Sequence, residues 1–138
     1  MRSVFVFPAL ELAAVVALLD RLSPGQRHPW LLDGCLYGEL TSEDDGLYLD
    51  WEPAAVLGLS RACRRRPGWA LRVDVSGRVD GTAEVRRLTL ALLAQGGIAM
   101  DDYSDHPWTA AEIADDVAVD GLRFFDFRAY HERTRHLG

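Results

Sequence analysis

Residues 68–97 read GWALRVDVSGRVDGTAEVRRLTLALLAQGG, and this stretch decides the fold. In its first third, Trp69, Leu71, Val73 and Val75 alternate with Arg72, Asp74 and Ser76. A period of two puts these sets on opposite faces of a strand, one for a core and one polar. After Ser76-Gly77 the period changes. Val85, Leu88, Ala91 and Leu92 recur at helical spacing, and Gly96-Gly97 supply a glycine stop. A half-buried strand followed by an amphipathic helix calls for a sheet with helices packed on it.

Upstream, MRSVFVFPALELAAVVALL predicts a strand, Ser3–Phe7, and a helix over about 10–22. The apolar run mimics a secretory signal. However, Pro8 and Glu11 interrupt it, Asp20-Arg21 follow it, and no A-x-A cleavage pattern is present. The uninterrupted stretch is also too short to span a bilayer. The expectation is a cytoplasmic protein with no membrane partner.

LLDGCLYGEL (31–40) and GLYLDW (46–51) read as two strands of a hairpin joined by TSEDD (41–45). Trp51, between Asp50 and Glu52, is the tryptophan expected to be exposed. EPAAVLGLSRACRRR (52–66) predicts a helix with Pro53 in its first turn and Arg64, Arg65 and Arg66 at the negative end of its dipole. Pro67-Gly68 stop it. IAM (98–100) is a short buried strand, a short helix starts at Ala110, and GLRFFDF (121–127) is a last strand. Residues 129–138 are polar and expected to fray.

Strands and helices mix without strict β-α-β alternation. The expected fold is a single α+β domain over residues 1–138: two layers, a mixed or antiparallel sheet, and helices mainly on one face. Its predicted core includes Val4, Val6, Trp69, Leu71, Val73, Val85, Leu88 and Leu92.

Composition agrees. The chain has 138 residues, 49% of them apolar, which suffices for one core without staples. Cys35 and Cys63 lack Cys-x-x-Cys spacing and read as small, reduced, buried hydrophobes. All 15 basic residues are arginine, with no lysine or asparagine, a bias expected of a GC-rich bacterial genome.

One segment carries candidate chemistry. In DDYSDHPWTAAE (101–112), Thr109 and Glu112 have capping-box spacing, and Trp108 and Ile113 have that of a hydrophobic staple. The rest, Asp101, Asp102, Asp105 and His106, are hard oxygen and imidazole ligand types on a loop. A metal-dependent hydrolase would use these four, with Asp74 near them in space. No metal motif has this spacing, however, and Asp and Ser are also ordinary turn residues. No Gly-x-Ser-x-Gly elbow, phosphate loop or Cys–His pairing appears. Arg78 stands where the Asp-x-Asp-Gly-Thr loop of haloacid-dehalogenase-like phosphatases has its nucleophile. No catalytic residue and no cofactor is therefore assigned.

Charge is the remaining signal. Residues 97–126 hold eight acidic residues against Arg123, a net of −7, while the whole chain is −6. An acidic surface steers a basic partner and repels nucleic-acid phosphates. The expected function is a non-catalytic module that binds a basic protein, as immunity and inhibitor proteins of this size and charge do. Asp101, Asp102 and Asp105 would act from the loop and Asp115 and Asp116 from the short helix, with Tyr103 or Trp108 as aromatic anchor. Self-association is compatible with this reading.

Overall fold

Five strands pair in the order β2-β3-β4-β1-β5, every pair antiparallel. In chain order the elements are β1 (Arg2–Pro8), α1 (Leu12–Leu22), β2 (Trp30–Leu32), β3 (Leu36–Ser42), α2 (Pro53–Cys63), β4 (Trp69–Val75), α3 (Thr82–Leu92), β5 (Gly97–Asp101), α4 (Ala110–Ala114) and α5 (Phe127–Leu137). This computed structural model describes residues 2–137, with side chains over 2–135. No helix among them is long and apolar enough to cross a membrane. The chain is a single α+β domain, as expected.

The alternation read in β4 sets the architecture. Leu71, Val73 and Val75 are fully buried and meet Val4, Val6, Trp30, Leu36 and Ala99 from the other strands. Onto this first face pack Val15 and Leu19 of α1, Val85, Leu88 and Leu92 of α3, and Ile113 of α4. All eight predicted core residues belong to this cluster, with Trp69 half-buried at its edge.

The second face is divided along the strands. Register places Tyr37, Asp74 and Ser3 in one row, and Glu39, Arg72, Phe5 and Met100 in the next. Beyond them Phe7, Ala70 and Ile98 form a smaller apolar cluster with Met100. Leu59 of α2 and Leu47 of the 43–52 loop cover that cluster. The polar end of this face stays uncovered.

Three expectations need correction. The predicted hairpin across residues 31–51 lies instead inside WLLDGCLYG: β2 and β3 pair Trp30 with Gly38 and Leu32 with Leu36. Asp33 (φ 51°) and Gly34 (φ 72°) make its turn, and positive φ at both central residues matches the right-handed twist of the strands. GLYLDW is not a strand. Asp45, Gly46, Leu49 and Trp51 each donate their N–H to a carbonyl three residues back, so the loop closes on itself as successive turns. Its apparent alternation fails on burial, since Leu47 is buried and Leu49 is 83% exposed.

GLRFFDF is not a strand either. Phe125 has φ 58°, which breaks extended pairing. Asp126 then caps α5, accepting the Ala129 N–H at 3.3 Å. Residues 129–137 continue that helix, whose Phe127 and Tyr130 turn toward the aromatic group around Phe125 and Tyr103. Gly138 lies outside the described residues.

Candidate functional site

The 101–112 segment carries the local structure its spacing implies. Thr109 Oγ1 accepts the Glu112 N–H at 3.2 Å, and Glu112 Oε1 accepts the Thr109 N–H at 2.9 Å. Trp108 and Ile113 are both buried, at 0% and 1% exposure. The Trp108 backbone also bonds Ala99 in both directions at 2.9 Å. It thereby closes the free edge of β5.

Of the four candidate ligands, Asp101, Asp102 and Asp105 border one cavity while His106 is turned to Glu112, and the four form no common ligand set. Asp101 is 9% exposed. Its Oδ1 accepts the N–H groups of Tyr103 and Ser104 at 3.0 and 3.2 Å, and its Oδ2 that of Phe125 at 2.7 Å. Burial raises its pKa against the pull of those three bonds. Asp102 turns to the opposite face of the sheet, where Oδ2 accepts the Ser3 N–H at 2.7 Å. His106 Nε2 lies 2.9 Å from Glu112 Oε2, and Asp105 is exposed. Asp74 does come close, since Ser3 Oγ donates to it at 2.6 Å while the Ser3 N–H holds Asp102. No group of three or more His, Cys, Asp or Glu residues among those described could hold a metal ion.

The expected partner-binding residues also separate. Trp108 is fully buried and Asp101 nearly so, so neither offers a surface to a partner. Tyr103 is half-buried, its ring 5.8 Å from Phe125 and 5.3 Å from Tyr130, and burial pushes its hydroxyl up to about 12. Asp116 is engaged by Arg86 at 2.9 Å and Arg123 at 3.1 Å. Asp102, Asp105 and Asp115 remain exposed. Asp102 is exposed as a residue, yet its carboxylate is shielded enough for burial, then the nearby Asp74, to raise its pKa.

A second acidic segment meets the first. The loop 43–52 carries Glu43, Asp44, Asp45, Asp50 and Glu52 with no basic residue. Folding lays it over β1 and β5, and a cavity of about 210 Å³ opens where the two segments meet. Asp50, Glu52, Asp102 and Asp105 line it together with Phe5 and Trp51, and no basic side chain does. Phe5, Asp50, Trp51 and Asp102 also line an adjoining cavity of about 470 Å³ over the open sheet face. Arg72 borders that second cavity, held by Glu39 at 2.7 Å and Asp74 at 3.4 Å.

Trp51 is the hinge of this arrangement. Expected to be exposed, it is half-buried, standing edge-on to Phe5 at 5.3 Å, Phe7 at 6.0 Å and Tyr48 at 5.2 Å. Tyr48 ties the loop down through its hydroxyl, which donates to the Pro67 carbonyl at 2.6 Å. The residues missed in the sequence are therefore Phe5, Asp50 and Glu52, while Trp51 was singled out there for exposure and not as the wall of a groove. Their one visible signal was the run of five acidic residues without a base, which reads as an ordinary polar turn.

No protein-family model, curated protein or solved structure matches the chain.

Proposed function

We propose that this protein is a non-catalytic binding module that holds a basic protein partner in the acidic groove between the 43–52 loop and the 101–105 loop. One observation carries the reading. Two acidic segments remote in sequence surround one cavity that has an aromatic wall and no basic lining residue. A cationic side chain entering there meets the quadrupole of Trp51 or Phe5 and the carboxylates of Asp50 and Asp102 together. Leu49, 83% exposed on the same loop, offers an apolar contact beside the charges. An immunity or inhibitor role, in which binding blocks the partner's own activity, is the form of this function that suits a small acidic domain without a catalytic constellation.

The test compares capture from the native lysate by the wild type, by an Asp50→Asn/Asp102→Asn/Asp105→Asn variant, and by an Asp115→Asn/Asp116→Asn variant. Asp101 is left intact because it holds the fold. The groove variant should lose a basic partner that the wild type and the helix variant keep, and association should slow as salt rises. Equal capture by the groove variant at low salt, or an acidic partner, would sink the proposal.

A further inference from the structure

A larger cavity lies at the other end of the second sheet face and shares no residue with the acidic groove. It has a volume of about 690 Å³ and sits where β1 ends, β4 and β5 begin, and α2 runs out. It is lined by Phe7, Pro8, Ala62, Cys63, Trp69 and Ile98. Phe7 and Ile98 are buried in the smaller apolar cluster, and Cys63 is half-buried against it. Among the lining side chains, Arg65 alone carries a charge. Arg66, next in the chain, is taken up by Glu43 at 3.2 Å and stacks over Tyr48 at 5.0 Å. Arg65 has no carboxylate partner among the described residues, so its guanidinium is available to a ligand.

We propose that this cavity is a binding site for a small amphipathic anion, an aliphatic carboxylate whose chain lies against Phe7, Pro8 and Ile98 and whose head group meets Arg65. The volume falls in the range of small-molecule sites, roughly 300–1,000 Å³. The planar guanidinium fork suits a carboxylate, which it can grip through two parallel hydrogen bonds. Charge complementarity at the cavity selects the anion: Arg65 is the one charged residue that lines it, although the chain as a whole is acidic, at −6.

The probe is octanoate, with octan-1-ol as the uncharged control of equal chain length. Octanoate binding by calorimetry should weaken roughly tenfold or more in Arg65→Gln, the loss expected for a charge-assisted hydrogen bond. Occupancy should also slow maleimide labelling of Cys63, read by mass spectrometry, with buried Cys35 as the internal reference. Gly68 borders the cavity, and a Cβ built there meets nothing within 4 Å. Gly68→Leu should therefore abolish octanoate binding and leave the Tm unchanged. Octan-1-ol binding as tightly as octanoate, undiminished binding by Arg65→Gln, or Cys63 labelling at the same rate under saturating octanoate would each overturn the proposal. Loss of the fold in Gly68→Leu would leave the decision to the Arg65→Gln and labelling results, which do not depend on it.

Discussion

The Asp101 carboxylate accepts the backbone N–H of Phe125 at 2.7 Å, although the two residues are 24 apart in the chain. That bond ties the end of β5 to the segment entering α5, while the other oxygen of Asp101 closes the 103–104 turn. Phe125 sits at positive φ, and no local partner satisfies its N–H. Asp101→Ala should leave three backbone donors without their acceptor and cost roughly 2–4 kcal/mol, measured by denaturant unfolding. A loss below about 0.5 kcal/mol would show that water replaces the carboxylate at no cost.

Asp102, one residue on, should behave oppositely. Burial and the neighbouring Asp74 raise its pKa. A carboxyl whose folded pKa lies above its unfolded value contributes most below the unfolded pKa, and that contribution is lost as pH rises through the folded pKa. Asp102→Asn keeps an acceptor for the Ser3 N–H and removes the charge. Its Tm should match the wild type near about pH 3 and exceed it near about pH 7. A lower Tm at neutral pH would mean that the ionised form is favoured in the fold.

Trp108 and Thr109 separate core from cap. Trp108→Ala removes a fully buried indole that lies 4.6 Å from the His106 ring and 6.2 Å from that of Phe124, and should cost roughly 3–5 kcal/mol. Thr109→Ala removes one cap bond, at about 1 kcal/mol. Chemical denaturation of both variants checks the order; a neutral Trp108→Ala would return this residue to the list of partner contacts.

Leu71 and Leu88 face each other's layer from β4 and α3, at 0% and 5% exposure. Either one changed to Ala should lose roughly 2–5 kcal/mol. An unchanged midpoint for both would mean that the sheet and helix faces are misassigned.

Gly97 (φ 119°) admits no side chain, because a Cβ there would lie 2.4 Å from the Phe7 carbonyl oxygen. Gly97→Ala should therefore separate β1 from β5 at that register and lower the Tm more than Gly68→Ala, whose Cβ meets open space. Parallel melts of the two variants decide this.

What the sequence determined by itself is whatever short-range physics encodes. The period-two face of β4, the helical stripe of α3 and the Thr109–Glu112 capping box are each written within a dozen residues; the stripe is present through Val85, Leu88 and Leu92, with Thr89 buried beside them and Ala91 exposed. The Asp33-Gly34 turn was equally local, but the apolar run on either side of it outweighed the turn signal. Phe124, Phe125 and Phe127 carry strong strand propensity, and that masked the Asp126 cap. The site was decided by tertiary structure alone. Nothing near Asp50 reports that Asp102 will lie across a cavity from it, and nothing in 101–106 reveals which of its side chains turn inward, although the staple spacing of Trp108 did mark that residue for burial. Strand pairing makes those choices: β1 between β4 and β5 sends Asp101 to the core face and Asp102 to the open one. The physical reason is the strand period itself, which separates adjacent side chains onto opposite faces, while the face that becomes the core depends on what packs there from far along the chain.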